Sequence, residues 1–430
     1  MRLWLYVSLL LLVNPIYGYD EDEADEVTIS KKPENVSPAK PQRYLLYEVN
    51  FGEGFNLRRD VYMRMASLVH ELREQGHNFV LVLPPWGNLY HWNDRAKKVP
   101  WNNLFDTEAM NAYVPVIEFY EYLKVNPYYV DEVVYLQHYK EGWKDGKWSE
   151  RYEKRDCIEA DKYYRKEGKF WKGYMYSYDH VKIHNLTCLS IQGESSTLAK
   201  AINEYYPNTN TLFIDRAETV IHNEYGGVEY WKIRRSMRYH KQLRFIADLF
   251  RQETLYVNMH EDKIVYPKDW RDERELQRVA VGGDYLAVHL RRKDFLRSHS
   301  DHVPDLNEAA LQIIEVAQVL ELSKVFICSD ADEYELLDLE KQLNSSSITA
   351  YRFTTKKISD GAISLVDQWI AAKAAFFLGT HTSTFSYRIR EDREIMHFPV
   401  ETTFNSLCKY AKDMGNPKKC EQPAKWTIVY

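Results

Sequence analysis

The chain has 430 residues, 45% of them hydrophobic, with 33 tyrosines and 11 tryptophans. This composition excludes a disordered or collagen-like chain and suits two or three domains of roughly 100–200 residues each. A formal net charge of −6 excludes general attraction to nucleic acid, so any local cluster of cations needs a local explanation.

Residues 1–18 read as a secretory signal: Arg2 supplies the positive start, residues 3–13 are apolar apart from Ser8, and Gly18 offers a small residue for cleavage. A helix needs ~20 apolar residues to span a bilayer, and neither this run nor any later one is that long. The expectation is a soluble lumenal protein, with residues 19–41, acidic and then polar, as a disordered leader. Sequons at Asn35, Asn185 and Asn344 fit that compartment, Asn35 least because Pro38 follows it. Spacing and compartment together suggest disulfides Cys157–Cys188 and Cys408–Cys420. Cys328, inside an apolar run, then stays free and buried, and the lack of a CxxC pair argues against zinc.

A first α/β domain is expected over 42–245. Strand 43–49 leads through a Gly-containing turn to an amphipathic helix over 57–75 and an apolar strand over 78–84, a βαβ unit. Residues 139–187, rich in Lys, Glu, Tyr and Trp, read as an insertion held by the first disulfide. Residues 190–193 return to the domain, 211–215 form a strand, and one helix over about 230–252 leads onward. A second α/β domain over 246–430 has strands at 285–290, 324–328, 349–353 and 375–378. Helices near 306–321, 331–343, 362–374 and from about 382 alternate with them. Strands alternating with helices predict two parallel, Rossmann-like sheets.

Three segments carry chemistry. Strand 285–290 ends in His289, Leu290, Arg291, Arg292, Lys293 and Asp294. A buried strand that delivers a fork of arginines is a site for a phosphate, since the guanidinium stays charged and matches two phosphate oxygens. Strand 375–378 runs into Gly379 and the hydroxyls of Thr380, Thr382, Ser383, Thr384 and Ser386 at a helix start. Ordinary N-capping accounts for one of these hydroxyls, and an anion held by hydroxyls and free N–H groups accounts for the rest. The turn Gly52-Glu53-Gly54-Phe55-Asn56 lies between a strand and a helix, where α/β domains place ligand loops. Asp330-Ala331-Asp332 has the spelling of a metal-binding DxD motif, but it opens a helix, where acidic residues stabilise the N-terminus.

The His-x-Arg-Arg-x-Asp run resembles the donor motif of the α1,2-, α1,6- and protein O-fucosyltransferases. The chain from about residue 43 to the segment after Cys420 is similar to the protein O-fucosyltransferases that act on thrombospondin type 1 repeats. The similarity is carried by residues 43–47, 54–60, 81–87, 89–92, 289–295 and 367–370. That resemblance implies two Rossmann-like domains facing across a cleft, a GT-B-like glycosyltransferase, with GDP-fucose as donor substrate and no metal. It implies donor contacts from Gly52, Gly54, Phe55, Asn56, His289, Leu290, Arg291, Ser383, Thr384 and Phe385, with Asp367 facing the guanine. Inverting transfer is implied, with Glu53 as general base on an acceptor Ser or Thr and Arg291 on the departing diphosphate. A role in activity is also implied for Asp392, where the family usually has Glu. The expected setting is the lumen of the endoplasmic reticulum, with folded repeats as partners and a contribution to their folding quality control. Two alternatives stand beside it: an O-fucosyltransferase of epidermal-growth-factor-like repeats or N-glycan cores, and a lumenal binding protein or chaperone without catalysis. Glu53 and Arg291 argue against the last.

Overall fold

The computed structural model describes residues 41–430 except 91, 96, 127–128, 174, 177–180 and 410–421. The signal, the leader, Asn35 and Cys420 therefore lie outside the described residues. The first sheet starts with strand β1 (Arg43–Tyr47), helix α1 (Phe55–Glu74) and strand β2 (Phe79–Leu83). On α1 the stripe Val61, Met65, Leu68 and Leu72 is fully buried, as the 3.6-residue period requires. Next come α2 (Thr107–Asn111), β3 (Val116–Glu118), α3 (Phe119–Val125) and β4 (Tyr129–Gln137). The insertion contributes β5 (Arg151–Lys154), β6 (Tyr164–Glu167) and β7 (Phe170–Gly173). Strand β8 (Lys182–Gln192), helix α4 (Ser195–Tyr205) and strand β9 (Thr211–Asp215) complete this half.

Helices α5 (Val228–Ser236) and α6 (Lys241–Glu253) bridge to the second half. Strand β10 (Gly283–Leu290), α7 (Phe295–Ser298), α8 (Leu306–Val319), β11 (Lys324–Ser329), α9 (Glu333–Ser345) and β12 (Thr349–Tyr351) follow. The last elements are α10 (Asp360–Ala372), β13 (Ala374–Gly379), α11 (Thr384–Ile395), α12 (Val400–Thr403) and β14 (Asn405–Ser406).

Among the described residues the first sheet has nine strands in the order β3-β2-β1-β9-β4-β8-β7-β6, with β5 also on β8. Its main body is parallel, and the insertion strands β5, β6 and β7 join it antiparallel. The second sheet is parallel throughout, in the order β12-β11-β10-β13-β14. The strand order reverses between β1 and β9 in one sheet and between β10 and β13 in the other. Such switch points open a crevice at the carboxyl ends of the strands, where α/β proteins bind ligands.

Side-chain alternation sorts the cores. Leu45 and Tyr47 of β1 and Tyr285 and Ala287 of β10 enter one cluster that is continuous between the two sheets. Leu46 packs on the far face of the first sheet, and Leu286, Val288 and Leu290 pack on the far face of the second.

Two expectations need revision. The helix drawn over 230–252 is two helices: α5 packs on α1 and α6 on α10. The chain breaks at Arg238-Tyr239-His240, where the His240 ring accepts from the Gln242 N–H and caps α6. The division placed at 245 thus falls inside α6, and the chain changes sheets at 237–240. Strand β4, central in the first sheet, was not recognised, although Val130, Val133 and Val134 are fully buried. The Cys157–Cys188 disulfide is formed and Cys328 is a buried free thiol. Asn185 and Asn344 are both exposed. Among the described residues no helix is long and apolar enough to cross a membrane.

Candidate active site

Both switch points carry the segments singled out in the sequence. After β10 the chain delivers Arg291, whose side chain is mostly buried. Its Nη1 donates to Asp330 Oδ2 and its Nη2 to Asp294 Oδ1, each at 2.5 Å. The guanidinium is therefore held as a fixed fork rather than a free cation. Asp330 also accepts the Arg292 N–H at 2.6 Å, while Asp332 caps α9 through the Glu335 N–H. Asp332 has the capping role foreseen for it. Asp330 has a different one, bracing the arginine pair. Arg292 itself is buried on Glu335 and the Pro304 carbonyl.

The β13–α11 loop closes against the end of β10. Thr380 Oγ1 donates to the His289 carbonyl at 2.8 Å and accepts the Arg291 N–H at 2.9 Å. Ser386 Oγ accepts the Thr380 N–H at 3.0 Å and lies 2.8 Å from His289 Nδ1. Phe385 stacks on the His289 ring with centroids 4.4 Å apart. Burial, and then the nearby Arg291 charge, push the His289 imidazole down to about 3, so it is neutral at physiological pH. Three of the loop hydroxyls are thus spent on its own architecture, since Thr382 Oγ1 also donates to the His381 carbonyl at 2.7 Å. Ser383 and Thr384, at the start of α11, make no side-chain hydrogen bond with the described residues. Thr382 takes a left-handed backbone, φ 61°, to make the turn.

Asp367 on α10 has Oδ1 sealed from solvent without a partner among the described residues, and burial pushes its carboxyl well above the usual carboxylate range. An orphaned buried acceptor is costly, and the N–H groups of a bound base would satisfy it.

The turn after β1 lies at the other switch point. Gly54 starts α1 without a side-chain cap, and no acidic residue occupies the first turn, so the helix N-terminus is open to an anion. A Cβ at Gly52 would meet nothing within 4 Å, which leaves the approach to the loop clear. The Arg58 guanidinium holds this turn through the carbonyls of Glu53, at 3.1 Å, and Phe51, at 3.5 Å. The Glu53 carboxylate takes no hydrogen bond from the described residues and is half-buried. Tyr90 joins the halves. Burial raises its phenol, the charges of Asp294 and Glu53 add to this, and a hydrogen bond with Arg291 opposes it. The charge of Glu53, from the first half, and a hydrogen bond with Arg291, from the second, thus both act on this phenol.

Three expected contacts sit elsewhere. Phe55 packs in an aromatic core with Trp86, Trp92 and Phe105, so its contribution to a ligand is its backbone. The Leu290 side chain lies in the core of the second sheet, which likewise leaves its backbone. Asp392, expected to have a role in activity, has both carboxylate oxygens engaged away from the loops described above. Its Oδ1 accepts from Arg234 and its Oδ2 from the Tyr239 hydroxyl, both at 2.6 Å, in a buried cluster. Glu391 joins that cluster through Arg234, Arg388 and Tyr230, and Arg388 extends it to Asp60 on α1. Removing one partner of such a buried pair typically costs ~3–5 kcal/mol, so Asp392 ties the halves together. The roles of Tyr90, Asp294, Asp330 and Gln368 were not foreseen, although Asp294 and Asp330 lie in singled-out motifs and Tyr90 and Gln368 in the similar segments 89–92 and 367–370.

Two switch-point crevices, one offering a carboxylate and the other an arginine fork with an orphaned acceptor for a base, define a glycosyltransferase of GT-B-like fold. The family model for GDP-fucose protein O-fucosyltransferase matches residues 44–396, and the chain belongs to that family. It is 44% identical over 413 residues to GDP-fucose protein O-fucosyltransferase 2 of Caenorhabditis elegans, covering 95% of each chain. To the Homo sapiens protein of the same name it is 40% identical over 399 residues, covering 91% of each. Among solved structures, POFUT1 in complex with GDP-fucose has the same fold, with a TM-score of 0.57 at 15% identity, over 86% of this chain and 99% of that one.

Proposed function

We propose that this enzyme transfers fucose, with inversion, from GDP-fucose to a Ser or Thr hydroxyl of folded thrombospondin type 1 repeats in the lumen of the endoplasmic reticulum, and so aids their folding quality control. The observation that carries the chemistry is the Arg291 fork, fixed at the carboxyl end of β10 by Asp330 and Asp294. Glu53, whose carboxylate takes no hydrogen bond from the described residues, takes the acceptor proton as the hydroxyl oxygen attacks the anomeric carbon. The bond to the diphosphate breaks, and the Arg291 fork receives the charge that develops on the leaving group. Asp367 accepts from the guanine N–H groups, while the hydroxyls of Ser383 and Thr384 and the open N-terminus of α1 hold the diphosphate and sugar. Asn56 donates to the donor from the first turn of α1. The names of the relatives above support a protein acceptor, and the thrombospondin repeat as its class is supported by the resemblance in sequence.

The test is incubation of the purified chain with GDP-fucose and, separately, with folded thrombospondin and epidermal-growth-factor-like repeats, followed by intact mass. A gain of one deoxyhexose on the thrombospondin repeat alone supports the reading. Transfer to the other repeat alone moves the acceptor assignment, and binding without transfer leaves a non-catalytic partner of these repeats.

A further inference from the structure

We infer that Gln368, together with Arg59, is a positioning residue that locks the Asn56 amide with its NH2 group presented to the donor. The inference rests on the reading of Asn56 as a donor contact. Arg59 lies one turn into α1 and Gln368 on α10, and both are fully buried. Arg59 Nη1 is 2.7 Å from Gln368 Oε1 and 3.1 Å from Asn56 Oδ1. A guanidinium has donors and no acceptor, so each atom it faces must be an oxygen. That settles two amide orientations that heavy-atom positions alone leave open. With its oxygen on Arg59, Gln368 turns Nε2 to Asn56 and donates to the same Oδ1 at 2.9 Å.

Asn56 Oδ1 thus accepts two hydrogen bonds, one from each half of the molecule. Its Nδ2 donates to none of the described residues, and Asn56 is half-buried three residues after Glu53. The side chain can offer the cleft only hydrogen-bond donors. A phosphate or sugar oxygen would be accepted there, whereas an outward carbonyl would repel it. Tyr239 is not the source of this lock. Its oxygen lies 2.9 Å from Gln368 Oε1 but 2.6 Å from Asp392 Oδ2, and its single proton goes to the nearer, charged acceptor. Arg59 therefore sets Gln368.

The experiment measures KM and kcat for GDP-fucose, and GDP affinity by calorimetry, on the full chain carrying Gln368→Met, Asn56→Ala or both. Gln368→Met should raise the KM for GDP-fucose about tenfold, the scale of one lost hydrogen bond, with kcat changed far less. In the Asn56→Ala background the same substitution should add nothing, because Gln368 acts through Asn56. Asn56→Asp reads the same face without disturbing the buried glutamine. It keeps the inward oxygen, replaces the NH2 by an oxygen, and should also weaken the donor. Weakened GDP binding would place the contact on phosphate, and a loss confined to GDP-fucose would place it on the sugar. An Asn56→Ala enzyme with unchanged KM would remove Asn56 as a donor contact. A raised KM there, with additive effects of Gln368→Met or full affinity in Asn56→Asp, would overturn the positioning role while leaving the donor site in place.

Discussion

Glu53→Ala isolates the proposed base, and the structure sets what should and should not change. The carboxylate is half-buried and takes no hydrogen bond from the described residues, while the loop is held by Arg58 through backbone carbonyls that Ala retains. Truncation therefore leaves no orphaned buried partner, and the folding free energy should move by no more than about 0.5 kcal/mol. GDP affinity should be near wild type, because Arg291, Asp367 and the β13–α11 loop are untouched. General-base catalysis typically supplies ~10²–10⁴-fold, which at about 1.36 kcal/mol per decade is about 2.7–5.4 kcal/mol of barrier. The kcat for transfer to a folded thrombospondin repeat should fall by that factor. Calorimetry with GDP, thermal melting and a GDP-release assay together separate the three effects. A turnover within about threefold of wild type would assign the proton to another group. Lost GDP binding with an intact fold would make Glu53 a donor ligand instead.

Arg291→Lys keeps the charge but cannot span Asp330 and Asp294 as the fork does. Its kcat should drop about 10²–10³-fold, more than donor affinity falls, and near-normal turnover would shift the phosphate role elsewhere. Transfer should survive a chelator, because Asp330 and Asp332 are already engaged by Arg291, the Arg292 N–H and the Glu335 N–H. Loss of activity restored by manganese would refute this. Glu48, buried beside Asp215, is pushed up to about 8 by burial first and that neighbouring charge second, against Arg58 and Lys98. The native carboxyl thus keeps a proton that the unfolded chain releases above its ordinary value of 4.5. The stability from that group is full below about 4.5 and is lost as pH rises through about 8. The melting temperature of Glu48→Gln should gain on wild type across that window, and a constant offset would show that Glu48 does not titrate there.

The βαβ unit, the parallel second sheet and the loops that carry Glu53, Arg291 and Ser383 were legible in sequence, because each depends on local periodicity and on turn residues at strand ends. The disulfide between Cys157 and Cys188 was legible from spacing and compartment. Asp330 shows where that legibility stops. Its position before a helix suggested a cap, yet its partners Arg291 and Arg292 lie 38–39 positions away and meet it because β10 and β11 are neighbours in the sheet. Asp392 shows it again. Motif resemblance suggested chemistry, and only the packing of α11 against Arg234 and Tyr239 turned the carboxylate into a tie between the two halves. The Asn56–Gln368 bond joins residues 312 positions apart. No periodicity encodes such a pairing, since an amide's orientation is decided by which buried donor the fold sets against it.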